Sequence, residues 1–560
     1  MKRIVTILLA ALLACCGCGA PHSPEPEAPE HTALSFSELP EPPGDAALTV
    51  LRAKELLLRI KNGELSGEAA LAKLETAQSA ARSLETAAAV AYVRYSLDVT
   101  DEARRTAYET LEGQLYELGC VLNDAALLLT KDPALSDRFD AETAERLVRA
   151  DALSDLSVSS LAERERALVG AYDTLESRLR VPYKDREWTG DAILNDPTLS
   201  EEDFNALYEA YLSAFNAEAG AIFLELIDVR TRTARALGFD SYVDYVSACR
   251  ERDYAPEEAA AFCERVKRVA VPVFLRCRND FYAAVARLYG AVFEREPTFA
   301  RVGEAVASIV PAFSEPWDYM LSHGMYDAGT NETRMGGSFT TYFPDYGAPF
   351  LFTAWSNGFE MPPTLIHEFG HFAAFYRNGE TLRGEASPDL AEIDSQGLEL
   401  LTVLRYDTIY GEWEDAARTA ELYLSLYTLV CGCLEDEFQR FAYAAEDPTV
   451  EALNAEYGRL IGEYGLVGLG AEARSWTQIP QTFRSPLYEI GYAAAMSAAM
   501  ELYRAGRTDA AAAADAYLSI VDRRAGSTFR KTLLRTGLTD PFGSEWEERF
   551  SETLDAIFPR

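Results

Sequence analysis

Two histidines four positions apart, with a glutamate beside the first, are the residues of this 560-residue chain best suited to chemistry: His367, Glu368 and His371 in LIHEFGHF. On a helix that spacing puts both imidazoles one turn apart on one face, and Glu368 leans over the same spot. Two imidazoles are zinc ligands, and the carboxylate beside them can take a proton from a water polarised there. Chance is a weak rival. With five histidines in the chain, composition alone yields about 0.005 matches to the arrangement. Glu368 is the only charged side chain among Leu365, Ile366, Phe369, Gly370 and Phe372, so a low local dielectric would strengthen a metal's pull on water.

The elements that must hold these groups are also marked. Pro362 and Pro363 suit a first helical turn, and Asn378 with Gly379 suits a left-handed stop, which predicts a helix over 361–379. A catalytic zinc needs a third protein ligand. His22 and His31 fall in a proline-rich stretch and His323, beside Gly324, reads as structural, so a carboxylate is expected. The nearest are Glu380, Glu385, Asp389, Glu392, Asp394 and Glu399. Ser387 and Pro388 open a second helix expected to reach Tyr410. Glu392 leads the candidates on position, and its i+7 neighbour Glu399 shares its face and could hold a ligand histidine's other N–H. Spacing alone leaves that choice open.

A formal charge of −37 and a sequence pI near 4.6 repel phosphate backbones and exclude nucleic acid as an expected partner. Lys2 and Arg3 precede an apolar run to Ala14, too short to span a bilayer, followed by Cys15. This is the pattern of a lipoprotein signal peptide over 1–14, with Cys15 as the lipidated residue and the cell envelope, outside the cytoplasm, as the location. Residues 15–46, rich in Pro and Glu, read as a tether. Helical periodicity then dominates an N-terminal helical domain over 47–190 and a catalytic domain over 191–560. Six scattered cysteines in the body suggest no second metal site. Between Gly324 and Phe359 two short β-prone runs, 336–342 and 349–355, offer an edge to an extended peptide near Phe352, Thr353, Ala354 and Trp355.

Taken together, Gly336-Gly337-Ser338, Pro349 to Trp355, the His367–His371 motif, Ala391-Glu392 to Glu399, Glu437-Phe438, Tyr457 to Tyr464 and Ala91 to Asp98 resemble the M3 family of zinc metallopeptidases, closest to its oligoendopeptidase F group. The resemblance spans about residues 80 to 560. It implies a mainly α, zincin-type fold with a deep substrate channel and a small β-sheet beside the zinc helix. It implies one Zn2+ per chain on His367, His371 and Glu392, with Glu368 as the general base. It also implies that Tyr488 and Tyr492 bind the tetrahedral intermediate, although on spacing alone they read as core or rim residues. Where the family usually carries a histidine after Ile-Pro, this chain has Gln481, which can donate a hydrogen bond but carries no charge. The expected activity is internal cleavage of short oligopeptides. The rivals are a carboxypeptidase or dipeptidyl carboxypeptidase, and a catalytically weak peptide-binding lipoprotein.

Overall fold

The computed structural model describes residues 31–40, 46–139, 147–148, 158–331, 333–379, 387–469, 471–522 and 527–559. The signal-like segment, Cys15, Glu380 and Glu385 lie outside the described residues. Part of the stretch expected to be a tether packs on the body. The His31 ring stacks on Tyr376 at 3.7 Å, the Thr32 N–H donates to the Tyr346 carbonyl at 2.8 Å, and Phe36 meets Phe350. Proline-rich composition hides such docking, because a few aromatic anchors suffice to hold an extended segment.

Helices α1 (Ala46–Lys61), α2 (Gly67–Leu97) and α3 (Glu102–Leu129) share a core of their own through Val50, Leu57, Leu71, Leu74, Leu115 and Leu122. The Asp101 carboxylate caps α3 by accepting from the Ala103 and Arg104 N–H groups. Residues 158–190 pack with the larger body: Leu168, Val169 and Tyr172 of α4 (Ser159–Asp173) and Trp188 share its core, which Val90 and Val93 of α2 also join. A hairpin that helical periodicity did not predict, β1 (Val181–Tyr183) and β2 (Arg186–Trp188), turns at Lys184 with φ +54°.

After the short helix Gly190–Asn195 come the longer helices α5 (Glu201–Ala236), α6 (Tyr242–Cys249), α7 (Pro256–Leu288), α8 (Arg295–Ile309) and α9 (Ser314–Ser322). They lead into the small sheet β3 (Tyr326–Asp327), β4 (Ser338–Phe343) and β5 (Ala348–Thr353). Beyond it come α10 (Met361–Asn378), α11 (Pro388–Thr402), α12 (Glu414–Ala444), α13 (Val450–Glu463), α14 (Glu489–Gly506), α15 (Ala510–Val521), α16 (Phe529–Thr536) and α17 (Trp546–Ile557). The protein is thus mainly helical with small sheets, as the sequence indicates. Among the described residues no helix is long and apolar enough to cross a membrane. The six described cysteines are free, and Cys120, Cys249, Cys263 and Cys433 are buried.

The strand order β3-β5-β4 corrects one expectation. β5 is the central strand, not an edge, and every residue in it is buried. Phe352, Thr353 and Trp355 face the interior: the Phe352 ring stacks on Phe339 at 4.9 Å, and the Trp355 indole N–H donates to Asn357 Oδ1 at 2.9 Å. Their side chains, and the backbone of Ala354 that donates to the Gly337 carbonyl, are therefore already committed. The parallel partner β3 is only two residues long and carries no strand signal of its own, which is why the centre reads as an edge. Among the described residues nothing pairs with the outer side of β4. The Ala354-to-Gly337 bond fixes the alternation of the antiparallel ladder, so Ser338, Thr340 and Tyr342 turn their backbone groups toward that open edge.

Candidate metal centre

The centre is built where α10 meets α11. Pro362 and Pro363 occupy the first turn of α10, and Gly379, at φ +52°, ends it by donating its N–H to the Phe375 carbonyl at 2.8 Å. Ser387 caps α11 through its hydroxyl, which accepts from the Asp389 N–H. α11 ends at Thr402, and a 3-10 turn and the short helix Tyr406–Tyr410 carry the chain on to Gly411. Gly370 lets the two helices touch. A Cβ there would lie 2.4 Å from the Asp394 carbonyl oxygen and 2.7 Å from the Ser395 Cα, closer than real contacts allow.

That approach brings Glu392 to the histidines. Its Oε2 lies 3.7 Å from His367 Nε2 and 3.9 Å from His371 Nε2, and one donor atom from each residue lies within 4.8 Å of the others. These separations are too long for hydrogen bonds. They are close to the edge of a tetrahedron with metal–ligand bonds of ~2.0–2.1 Å, which is about 3.4 Å. Two imidazole nitrogens and a carboxylate oxygen held apart in this way fit a metal ion. Of the four considered carboxylates that are described, Asp389, Glu392, Asp394 and Glu399, Glu392 is the one grouped with both histidines.

His367 and Glu392 are each held by further groups. His367 Nδ1 sits 2.5 Å from Glu399 Oε1, the partner that the helical spacing suggested. Burial alone would lower the His367 pKa, but Glu399, Glu368 and Glu392 outweigh it and push it up to about 9. The Tyr488 hydroxyl donates to Glu392 Oε1, and the Ser395 hydroxyl reaches Oε2 at 3.4 Å. The Tyr488 phenol is thus hydrogen-bonded to the carboxylate that joins the two histidines. Its ring meets Tyr492 at 5.2 Å, edge to face. Glu368 is buried, and the Thr340 hydroxyl of β4 lies 2.9 Å from its Oε2.

The loop that delivers Tyr488 is held by groups that no sequence spacing points to. Leu487 adopts φ +58°, a conformation costly for a branched side chain, and its N–H donates to Gln439 Oε1 at 2.5 Å. Two buried arginines grip the same turn: Arg252 donates to the Leu487 carbonyl at 2.7 Å and Arg250 to the Pro486 carbonyl at 2.9 Å. Arg252 is paired with Asp389, which also accepts from the Tyr254 hydroxyl, and the Arg250 guanidinium lies over the Tyr488 ring at 4.9 Å. Burial and the adjacent Arg252 pull the Arg250 pKa down to about 10. Gln481 is exposed on the short helix Pro480–Arg484. His323 stacks on Tyr319 at 4.4 Å, consistent with a structural role.

No protein-family model and no curated protein sequence matches the chain. Solved structures do. A protein assigned as an oligoendopeptidase F superposes with TM-score 0.76 at 21% identity, over 94% of this chain and 100% of that one. Pz peptidase A with an inhibitor gives TM-score 0.76 at 19% identity over 93% and 98%. A protein from Bacillus anthracis str. Ames, likewise assigned as an oligoendopeptidase F, gives TM-score 0.76 at 20% identity over 94% and 98%. Over nearly its whole length, this chain therefore has the fold of the M3-type oligoendopeptidase F proteins.

Proposed function

We propose that the protein is a zinc-dependent endopeptidase that hydrolyses internal bonds of short oligopeptides. The observation that carries this reading is the convergence of His367, His371 and Glu392 donor atoms within 4.8 Å, beside the buried carboxylate of Glu368. The names of the structural neighbours, oligoendopeptidase F and Pz peptidase A, support a peptidase. The donor set of two nitrogens and one oxygen favours zinc over a hard cation, which prefers oxygen alone.

When bound, zinc supplies Lewis acidity toward the scissile carbonyl and toward water. Glu368 takes the proton of the attacking water and passes it to the leaving amine. Glu399 holds His367 in the tautomer that offers Nε2 to the metal, and Tyr488 orients Glu392. Tyr492, half-exposed on α14, offers a phenol to the developing oxyanion, whereas the bond from Tyr488 to Glu392 supports a role for it in holding the ligand. The open edge of β4 suits an extended peptide, read mainly through its backbone at Ser338, Thr340 and Tyr342. The pattern ending at Cys15 supports a lipid anchor in the cell envelope, which mass spectrometry of the N-terminal peptide would detect.

The test uses a quenched oligopeptide blocked at both ends, with fragments identified by mass spectrometry. Internal cuts that disappear with a chelator and return with zinc are expected, and removal of terminal residues alone would favour an exopeptidase. Glu368→Gln should retain zinc and lose on the order of 10² to 10⁴ in turnover. Undiminished turnover in that variant, or in the zinc-free protein, overturns the proposal.

A further inference from the structure

We propose that Thr340 is a positioning residue of this reaction, one that ties the strand at the substrate edge to the base that acts on the substrate. This rests on the peptidase reading above. Thr340 lies mid-strand in β4, opposite Leu351 of β5. Its hydroxyl oxygen is 2.9 Å from Glu368 Oε2 and 2.8 Å from the Glu368 backbone carbonyl oxygen.

Both neighbours are acceptors, and a threonine hydroxyl has a single hydrogen. With Glu368 ionised, the hydrogen is best used on the carboxylate, because a charge-assisted bond is the stronger of the two. Once Glu368 has taken a proton from water, that proton stays on the side from which it passes to the leaving amine, and Oε2 keeps a lone pair that accepts from the Thr340 hydroxyl. One Glu368 rotamer is thus hydrogen-bonded both before and after proton transfer.

The backbone of the same residue faces the other way. The ladder alternation turns the Thr340 N–H and C=O toward the open side of β4, while its side chain reaches α10. A peptide adding to that edge therefore pairs with the residue whose hydroxyl fixes the base. The offset between the peptide and Glu368 is set through one residue instead of through a chain of packed elements.

The experiment compares Thr340→Val, which keeps the shape and loses the hydroxyl, with Thr340→Ser, which keeps the hydroxyl. For Thr340→Val we expect kcat to fall roughly 10- to 100-fold, with KM within about twofold and zinc content unchanged, as for loss of a bond to a charged group. Thr340→Ser should return kcat to within about threefold of the original protein. A crystal structure of Thr340→Val should show the Glu368 carboxylate turned from its position, and that of Thr340→Ser should show it in place. Wild-type kcat in Thr340→Val, equal damage in both variants, or an unmoved carboxylate would each overturn the proposal. If the unaltered protein cleaves no oligopeptide, the peptidase reading fails, and the two crystal structures still decide whether the hydroxyl holds Glu368.

Discussion

Tyr488→Phe separates two roles for one phenol. Resemblance to the M3 peptidases assigns Tyr488 to the oxyanion, whereas here its hydroxyl donates to Glu392 Oε1. The substitution deletes one oxygen from a side chain that is 6% exposed, and the Arg250 guanidinium stays over a ring of the same shape. The loop should therefore keep its conformation, and the effect should come from the lost bond. A hydrogen bond to a charged group contributes about 1.5–3 kcal/mol, which corresponds to roughly 10- to 150-fold in an equilibrium constant. Ser395 compensates little at 3.4 Å. Loss of a partner that orients a metal ligand weakens metal affinity by about 10- to 100-fold in general, in agreement with that range. We expect zinc affinity to drop by that amount when bound metal is measured against buffered free zinc, and most of the turnover to return at saturating zinc. Zinc affinity within about threefold of the original protein, together with a large loss of kcat at saturation, would refute the assignment to Glu392 and restore the oxyanion role.

Gly370→Ala should force α10 and α11 apart, because the added Cβ would lie 2.4 Å from the Asp394 carbonyl oxygen. We expect a stability loss of about 1–3 kcal/mol or more and much weaker zinc retention, and an unchanged melting temperature with full zinc content would refute it. Glu435 provides a pH test away from the metal ligands. Burial pushes its pKa up to about 7 against hydrogen bonds from Tyr457, Gln439 and Thr482 that favour the charged form. Because folding raises this pKa from the ordinary glutamate value of 4.5, its contribution to stability is full below pH 4.5 and is lost as pH rises through 7. The span corresponds to about 3 kcal/mol. Denaturant unfolding at pH 5 and pH 8 should show Glu435→Gln gaining on the original protein only at the higher pH, and an equal difference at both would refute the shift.

What spacing could reveal was local. The i, i+4 pair His367 and His371, the stop at Gly379, and the shared face of Glu392 and Glu399 follow from helical periodicity over a few turns, and the structure has them in those relations. Glu392 as third ligand was harder, because its position depends on how closely α11 approaches α10. That distance is set by Gly370, a residue whose only contribution is to lack a Cβ. The Tyr488–Glu392 bond spans 96 positions and the Thr340–Glu368 bond 28, and no periodicity links either pair.

The error in the substrate strand has the same origin. Pattern predicts that a segment is a strand, but its place in the sheet depends on partners elsewhere in the chain. Pro349 makes β5 look unfit for the centre, since proline cannot donate to a ladder. Its register explains why it is tolerated. Pro349 pairs with Tyr342, and on its other side β3 reaches only Leu351 and Phe352, so no partner there requires the missing N–H. A two-residue strand therefore turns β5 into the centre and leaves β4 open, and this placement lets the Thr340 side chain meet the Glu368 carboxylate while its backbone faces the free edge.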